Sequence, residues 1–273
     1  MSELLTAWWQ YDFMRYALMA VLLIMPLFAL LGTMVVNNGM AFFSDALGHS
    51  ALTGVAVGLL CGLTDPSIAM VLFAVVFALL MNTIRRSRLS STDTVIGVFS
   101  SCGIALGLAI LSRQGGFSRY QSLLIGDILN ISPSELSVLA VVLAVTVLLW
   151  LLCFNRFHAV SIHPTLARSK GLPVAFLDNL FVVVIAVVVM LSIRWVGLLI
   201  INAMLILPAA AARNVARSMR SYLLYALIFS LFSGVLGLWL SFCLAVATGP
   251  MIVLVAAVLF FGTYAIGRHA GNG

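Results

Sequence analysis

Charge is what this sequence has least of. Arg and Lys together number 14 and Asp and Glu 8, so charged residues are 8% of the 273-residue chain, against 63% hydrophobic. A soluble domain carries about 25% charge, and a chain this poor in charge has no polar surface to show to water. Lysine is scarcer still, with Lys170 alone, and no G-x-x-x-x-G-K-[ST] loop occurs; the chain cannot hold ATP through a Walker A loop. Neither H-E-x-x-H nor G-x-S-x-G is found, which removes the signatures of an intramembrane zinc protease and of a hydrolase elbow. With no nucleophile–base set in view, an enzyme is the least favoured class. Cys61, Cys102, Cys153 and Cys243 stand singly in apolar runs without a C-x-x-C pair, so neither a metal cluster nor a disulfide framework is expected and they read as small core residues. The opening MSELLTAWWQYDF has no basic n-region and no short apolar run ending at a small-residue cleavage site, so no cleavable signal is expected there.

Long apolar runs are what fills the chain, and its mean hydropathy is +1.20. They are continuous rather than alternating, which excludes an outer-membrane barrel. Runs of membrane-spanning length fall near 16–36, 41–63, 66–84, 94–112, 135–154, 174–193, 195–212, 222–247 and 250–267. The expected fold is therefore an all-α polytopic membrane protein of about eight to nine transmembrane helices, one membrane domain over 1–273 without a soluble appendage. The net charge of +6 records orientation rather than nucleic-acid binding. With the loop Arg85-Arg86-Ser87-Arg88 in the cytoplasm, Arg156, Arg168, Lys170, Arg213, Arg217, Arg220 and Arg268 join it there, and only Arg15, Arg113, Arg119 and Arg194 lie opposite. That is the positive-inside pattern, with the N-terminus outside and the C-terminus inside.

Pro26 and Pro208 fall inside spans, where each removes a backbone donor and predicts a local kink. The stretch 113–133 is too polar to cross. It contains a short apolar piece, Ser122 to Leu129, turned at Gly126-Asp127, which reads as a re-entrant or interfacial helix on the outer side. The next span then starts at Ser132-Pro133-Ser134-Glu135, with Ser132 or Ser134 as N-cap and Pro133 near the first helical position.

The stretch Met40–Leu63, MAFFSDALGHSALTGVAVGLLCGL, looks apolar enough to enter a bilayer yet carries Asp45 and His49. Four residues on a helix is about one turn, so both lie on one face, and His49 falls close to mid-membrane. Ionisable groups at such depth cost several kcal/mol, about 2.5–3.5 on insertion scales, and normally face a cavity or a partner. Three readings stay open on this stretch alone: a helix-fastening pair, a proton relay, and a cation site. For the last, carboxylate and imidazole suit Zn²⁺ or Mn²⁺, and two copies across a dimer axis would supply four ligands. The neighbouring stripe Ser50, Gly54, Gly58, Gly62 is a small-xxx-small packing pattern, repeated by Gly97, Ser101 and Ala105.

The longest inner connector is 161–173, SIHPTLARSKGLP. Pro164 at a helix start, Gly171 at its end and Pro173 beyond spell a short capped helix near 163–172, either a docking element or a plain interfacial helix. His158 and His163 beside it read as solvated. Asn202 is the polar residue of the seventh span, suited to an interhelical hydrogen bond or to a pathway.

Six stretches in order, MAFFSDALGHSALTGVAVGL, STDTVIGVFSSCGIALG, LLIGDILNISPSEL, SIHPTLARSKGLPV, WVGLLIINAMLILPAAAARNVARS and ATGPMIVLVAAVLFF, resemble the membrane permeases of ABC importers for zinc, manganese and iron, from about Asn37 to Phe261. The resemblance implies type II importer architecture in the cytoplasmic (inner) membrane. It also implies cytoplasmic ATP-binding subunits, an extracytoplasmic metal-binding protein, a second permease copy or a related permease, and alternating access. Asp45 and His49 match the Asp and His of the family's Gly-Asp-x-x-x-His motif, which favours the metal reading. Ser44 stands where the family usually has Gly and adds a hydroxyl near the site, and Ser44, Asn202 and Asp127 are candidates for pathway or packing. Pro164, Ala167 and Gly171 match the coupling helix that meets the ATPase. The cargo implied is Zn²⁺, Mn²⁺ or Fe²⁺, with no permanently bound cofactor. The alternatives are a siderophore- or cobalamin-type ABC permease, which the Asp45/His49 pair disfavours, and a proton-coupled secondary carrier acting alone.

Overall fold

The computed structural model describes residues 11–63, 65–87, 90–114, 126 and 128–270. All regular structure among them is helical: α1 (Asp12–Asn37), α2 (Phe43–Leu60), α3 (Ser67–Arg86), α4 (Thr92–Gln114), a 3₁₀ turn (Ile128–Asn130), α5 (Pro133–Ile162), α6 (Pro164–Ser169), α7 (Val174–Val196), α8 (Leu198–Val215), α9 (Met219–Leu244) and α10 (Thr248–Ala270). Helix is the form such a chain must take, because inside lipid each backbone N–H and C=O has to be satisfied within its own segment. Eight of these helices are long and apolar enough to cross a bilayer, while the apolar helix at Ile200–Val215 is shorter; the chain is a multi-pass membrane protein.

Several ends follow from local signals. Ser132 caps α5: its N–H and its hydroxyl both donate to Glu135 Oε2 at 2.9 Å, while the Glu135 N–H donates back to Ser132 Oγ at 3.4 Å. This is a capping box, which selects Ser132 over Ser134 as N-cap, and Pro133 takes the first helical position as expected. The expected seventh span at 195–212 is displaced to 198–215 because Gly197, at φ +84, breaks the chain between α7 and α8, a left-handed backbone that glycine adopts without Cβ strain. The α9 start at Met219, three residues before the expected one, comes from a Ser218/Ser221 capping box. α5 runs to Ile162 rather than stopping near 154, so Arg156 and His158 lie on it and not in a loop. Pro26 and Pro208 both lie within continuous helices.

Contacts divide the chain into two compact units, one of residues 1–36, 126–148 and 195–273, the other of 37–125 and 149–194. In the first unit α1 is enclosed, with Ala17, Val21, Ile24 and Phe28 fully buried, as suits a helix apolar all round. It is fastened by side-chain hydroxyls reaching its carbonyls: Ser230 Oγ donates to Met25 O at 2.9 Å and Tyr222 Oη to Thr33 O at 3.3 Å. α8 packs against α9 and α10 in the same unit, and a Cβ on Gly32 of α1 would overlap the Leu205 carbonyl oxygen.

In the second unit α2 lies between α3 and α4. Thr53 Oγ1 donates to the Gly103 carbonyl of α4, and a Cβ on Gly54 would come within 2.6 Å of Met70 Cα of α3. α3 and α7 run antiparallel, since Arg194 Nη1 of α7 donates to Ser67 Oγ at one end (3.0 Å) and Arg85 of α3 meets Asp178 at the other (3.0 Å). The Arg85-Arg86 end of α3 and the 161–173 connector that leads into α7 are therefore on one side of this unit, as the positive-inside argument places them.

Two expectations are corrected. Cys61, Cys102 and Cys243 are exposed and Cys153 is partly so, because a small apolar side chain is as well placed against lipid as in a core. His158 is buried at 8% exposure rather than solvated, its ring lying 4.2 Å from that of Phe154 and 5.9 Å from that of Trp150.

Candidate functional site

α2 is the element that positions the candidate site. Asp45 stands in its first turn, where the unsatisfied N–H groups of a helix start favour a carboxylate. His49 follows one turn on, its Nε2 3.4 Å from Asp45 Oδ2. Along the axis of the 18-residue helix, His49 lies about 4 Å and Asp45 about 10 Å from the midpoint at 1.5 Å per residue. The pair is half-exposed, 28% for His49 and 41% for Asp45, on a helix otherwise enclosed on its Ala46, Ser50, Thr53 and Gly54 faces. Imidazole and carboxylate so placed can offer one nitrogen and one oxygen to a divalent cation. Among the described residues no three of His, Cys, Asp and Glu cluster to hold a metal ion, so this unit offers two ligands.

Ser44 is adjacent in sequence but faces inward: it is 1% exposed and its Oγ has no hydrogen-bond partner among the described residues. The hydroxyl is thus near the pair without being aimed along the same face. The packing stripe holds at Ser50, which Gly103 of α4 approaches, and at Gly54 and Gly58, which press on α3 and the turn before it. It does not hold at Gly62 or Gly97, where a Cβ would meet nothing within 4 Å. Ser101 and Ala105 are exposed, and Gly103 and Gly107 carry the α4 contact instead. Asn202 is half-buried on α8 in the other unit. Asp127 lies outside the described residues.

Pro164, Ala167 and Gly171 come together in α6 and its cap. Pro164 opens the helix and His163 precedes it at φ −139. At its end the Gly171 N–H donates to Arg168 O (3.0 Å) and the Leu172 N–H to Ala167 O (3.1 Å), a Schellman motif that needs the left-handed φ of +76 at Gly171. Pro164, Leu166, Arg168 and Gly171 are exposed, whereas Ala167 is buried at 2%. The outward surface of α6 is therefore apolar at Leu166 and basic at Arg168 and Lys170, and Ala167 seats the helix from beneath.

A buried polar network at the same end of the unit, Asn82, Arg85, Asp178 and Asn179, was not singled out from sequence. Its signal was there, a basic residue ending one span and an acid beginning another, but partners 93 residues apart are joined only by the packing of α3 on α7.

Outside the membrane spans, the Asp65 carboxyl in the α2–α3 turn is held below the usual carboxylate range, first by the Ser67 hydroxyl and its N–H (2.9 Å to Oδ1), then by Arg194.

The sequence profile of the ABC 3 transport family matches residues 10–267. The chain is similar to the manganese transport system membrane protein MntC of Listeria monocytogenes, 27% identical over 92% of this chain and 90% of that protein. It is also similar to the high-affinity zinc uptake system membrane protein ZnuB of Haemophilus influenzae, 31% identical over 89% of this chain and 94% of that protein. Among solved structures it resembles PsaBC from Streptococcus pneumoniae in complex with Fab, with a TM-score of 0.83, 29% identity, and coverage of 96% of this chain and 95% of that one.

Proposed function

Because this chain belongs to the ABC 3 transport family, we propose that it passes a divalent metal ion across the inner membrane by alternating access, with Asp45 and His49 as the ion's transient ligands. It is a permease subunit rather than an enzyme, and we read 1–273 as its single transmembrane domain. The observation that carries the site is the Asp45–His49 pair, 3.4 Å apart on the half-exposed face of a bundle helix that glycine contacts hold in place. Relatives named for manganese and zinc transport support Mn²⁺ or Zn²⁺ as cargo, and Fe²⁺ accepts the same ligand types. Two ligands per subunit suit a carrier, since an ion held too tightly would not leave; a second permease copy would bring the set to four.

ATP is hydrolysed by separate cytoplasmic subunits, and an extracytoplasmic binding protein delivers the ion. α6 is the coupling helix: its exposed Leu166 and Arg168 meet the ATPase, the Gly171 turn holds its direction, and buried Ala167 sets its depth.

The test is uptake of Mn²⁺, Zn²⁺ and Fe²⁺, ion by ion, in cells lacking the gene and complemented with the parental chain, Asp45→Ala or His49→Ala. Both variants should reach the membrane and lose uptake; normal uptake in both would sink the site. Ala167→Leu and Gly171→Val should leave the protein in the membrane and impair ATP-driven uptake, and full transport with unchanged ATPase association would refute the coupling role.

A further inference from the structure

Where α3 ends and α7 begins, the two helices are joined by a closed set of polar contacts. Arg85 Nη2 donates to both carboxylate oxygens of Asp178, at 3.1 and 3.0 Å. The same guanidinium donates through Nε and Nη2 to Asn82 Oδ1, at 3.1 and 2.7 Å. Asn82, fully buried, passes its Nδ2 to Asn179 Oδ1 at 2.8 Å. Arg86 adds Nη1 to the Ala175 carbonyl at 3.1 Å. Little of the central pair reaches solvent, 13% for Arg85 and 15% for Asp178.

As cement this network is poorly chosen. Desolvating a guanidinium and a carboxylate offsets most of their attraction, and apolar side chains of like volume hold two helices together as well or better. What hydrogen bonds add is direction: a planar guanidinium forked onto a carboxylate and an amide resists sliding and rotation, where an apolar contact permits both. That property matters at this place in the fold. Ala175, Asp178 and Asn179 lie in the first two turns of α7, which follows α6 through the Gly171 cap and Pro173. On its other side α3 is pressed against α2 at Met70 and Gly54, and α2 carries Asp45 and His49.

We propose that the Asn82–Arg85–Asp178–Asn179 network is the transmission of the transporter, locking the start of α7 to the end of α3 so that displacement of α6 reaches α2 instead of being lost in the connector. Arg85 and Asp178 are positioning residues, touching neither ion nor nucleotide. The proposal rests on the transport reading and on α6 as the coupling helix, and names the path between that helix and the site.

The experiment measures Mn²⁺ moved per ATP hydrolysed in proteoliposomes containing the complete transporter with its ATPase and binding protein. Asp178→Asn removes the negative charge at constant size, and Arg85→Lys keeps the positive charge but removes the fork. Each should keep ATP hydrolysis within about twofold and lower the ratio about tenfold, within the range of coupling between distant sites. The exchange Arg85→Asp with Asp178→Arg should recover part of that loss. If Asp178→Asn does not assemble, Arg85→Lys, which retains the positive charge, carries the same expectation. A lower melting temperature with an unchanged ratio in the assembled variants would overturn the network's role. Absence of any ATP-dependent uptake of Mn²⁺ or Zn²⁺ by the parental transporter would instead overturn the transport reading, and this proposal with it.

Discussion

α2 and α8 are both 18 residues long and each packs among helices of its own unit, but glycine is distributed differently around them. α2 brings two of its own, Gly54 and Gly58, which meet α3 and the turn before it, and also receives Gly107 of α4 against Thr53. α8 contains no glycine, and its neighbours supply them: Gly32 of α1 meets Leu205, and Gly249 and Gly267 of α10 meet Ile200 and Asn214. Their polar cargo differs too. α2 carries an acid and an imidazole on a half-exposed face, whereas α8 carries one neutral amide, Asn202, in its apolar part and Arg213 and Asn214 only in its last turn. A helix with glycines on its own surface cannot rotate without forcing a backbone into a neighbour's backbone. The orientation of everything else it carries is thereby set. That is the setting in which two side chains can be kept aimed at one place; α8, met at its Leu205 and Asn214 carbonyls by Gly32 and Gly267 of its neighbours, is packed backbone to backbone as well but carries no such pair.

The contrast is broken most severely by exchanging what the two helices carry. His49→Ala should abolish metal uptake, whereas Asn202→Ala should leave most of it, measured as initial rate in complemented cells; equal losses would erase the functional distinction between α2 and α8. Next in size are the glycines. Gly54→Ala and Gly32→Ala each force a Cβ into backbone atoms and should cost about 1–3 kcal/mol or more, as overpacking does. Gly97→Ala and Gly262→Ala, where a Cβ would meet nothing within 4 Å, should leave the melting temperature of the purified protein near the parental value. A smaller effect is expected at Thr53, 2% exposed: Thr53→Val removes its hydrogen bond to Gly103 and should lower stability by about 1 kcal/mol, read by thermal melting.

The smallest concerns the turn that joins α2 to α3. The Asp65 carboxyl is held below its ordinary value, so the contacts with Ser67 and Arg194 contribute fully above the unfolded-state pKa, near 4. They are lost as pH falls through the lower folded value. Asp65→Asn should flatten the dependence of melting temperature on pH below about 4, and an unchanged profile would show that these exposed contacts carry no stability.

Much of this was legible because membrane-spanning segments announce themselves by length. All nine expected spans are helices, and the Asp45–His49 pair could be read from a spacing of four because one helix determines it. The start of α5 at Ser132-Pro133-Ser134-Glu135 was visible for the same reason, though not which serine caps it. What escaped detection depended on distant partners or on weak local signals. Ser218-x-x-Ser221 lacks the usual acid of a capping box, so the start of α9 was set too late. The break between the sixth and seventh spans was set at Arg194, whereas the positive φ of Gly197 puts it three residues later, inside an apolar run. The inward turn of His158 onto Phe154 and Trp150, and the joining of Arg85 to Asp178, come from tertiary packing that neither composition nor periodicity records.

α5 has one further consequence. Between Glu135 and Arg156 its sequence is free of charge for 20 residues, 136 to 155, a length of about 30 Å, which matches the hydrocarbon thickness of a bilayer. Two charged residues thus act as the marks of a ruler, bracketing a stretch long enough to cross the hydrocarbon. The helix does not stop at the second mark: it continues to Ile162, about 9 Å further along its axis. That extra length is a stalk, and α6 begins at its tip. α6 therefore begins beyond the second mark, and in the proposed coupling role its height would follow any thickening or thinning of the bilayer around α5.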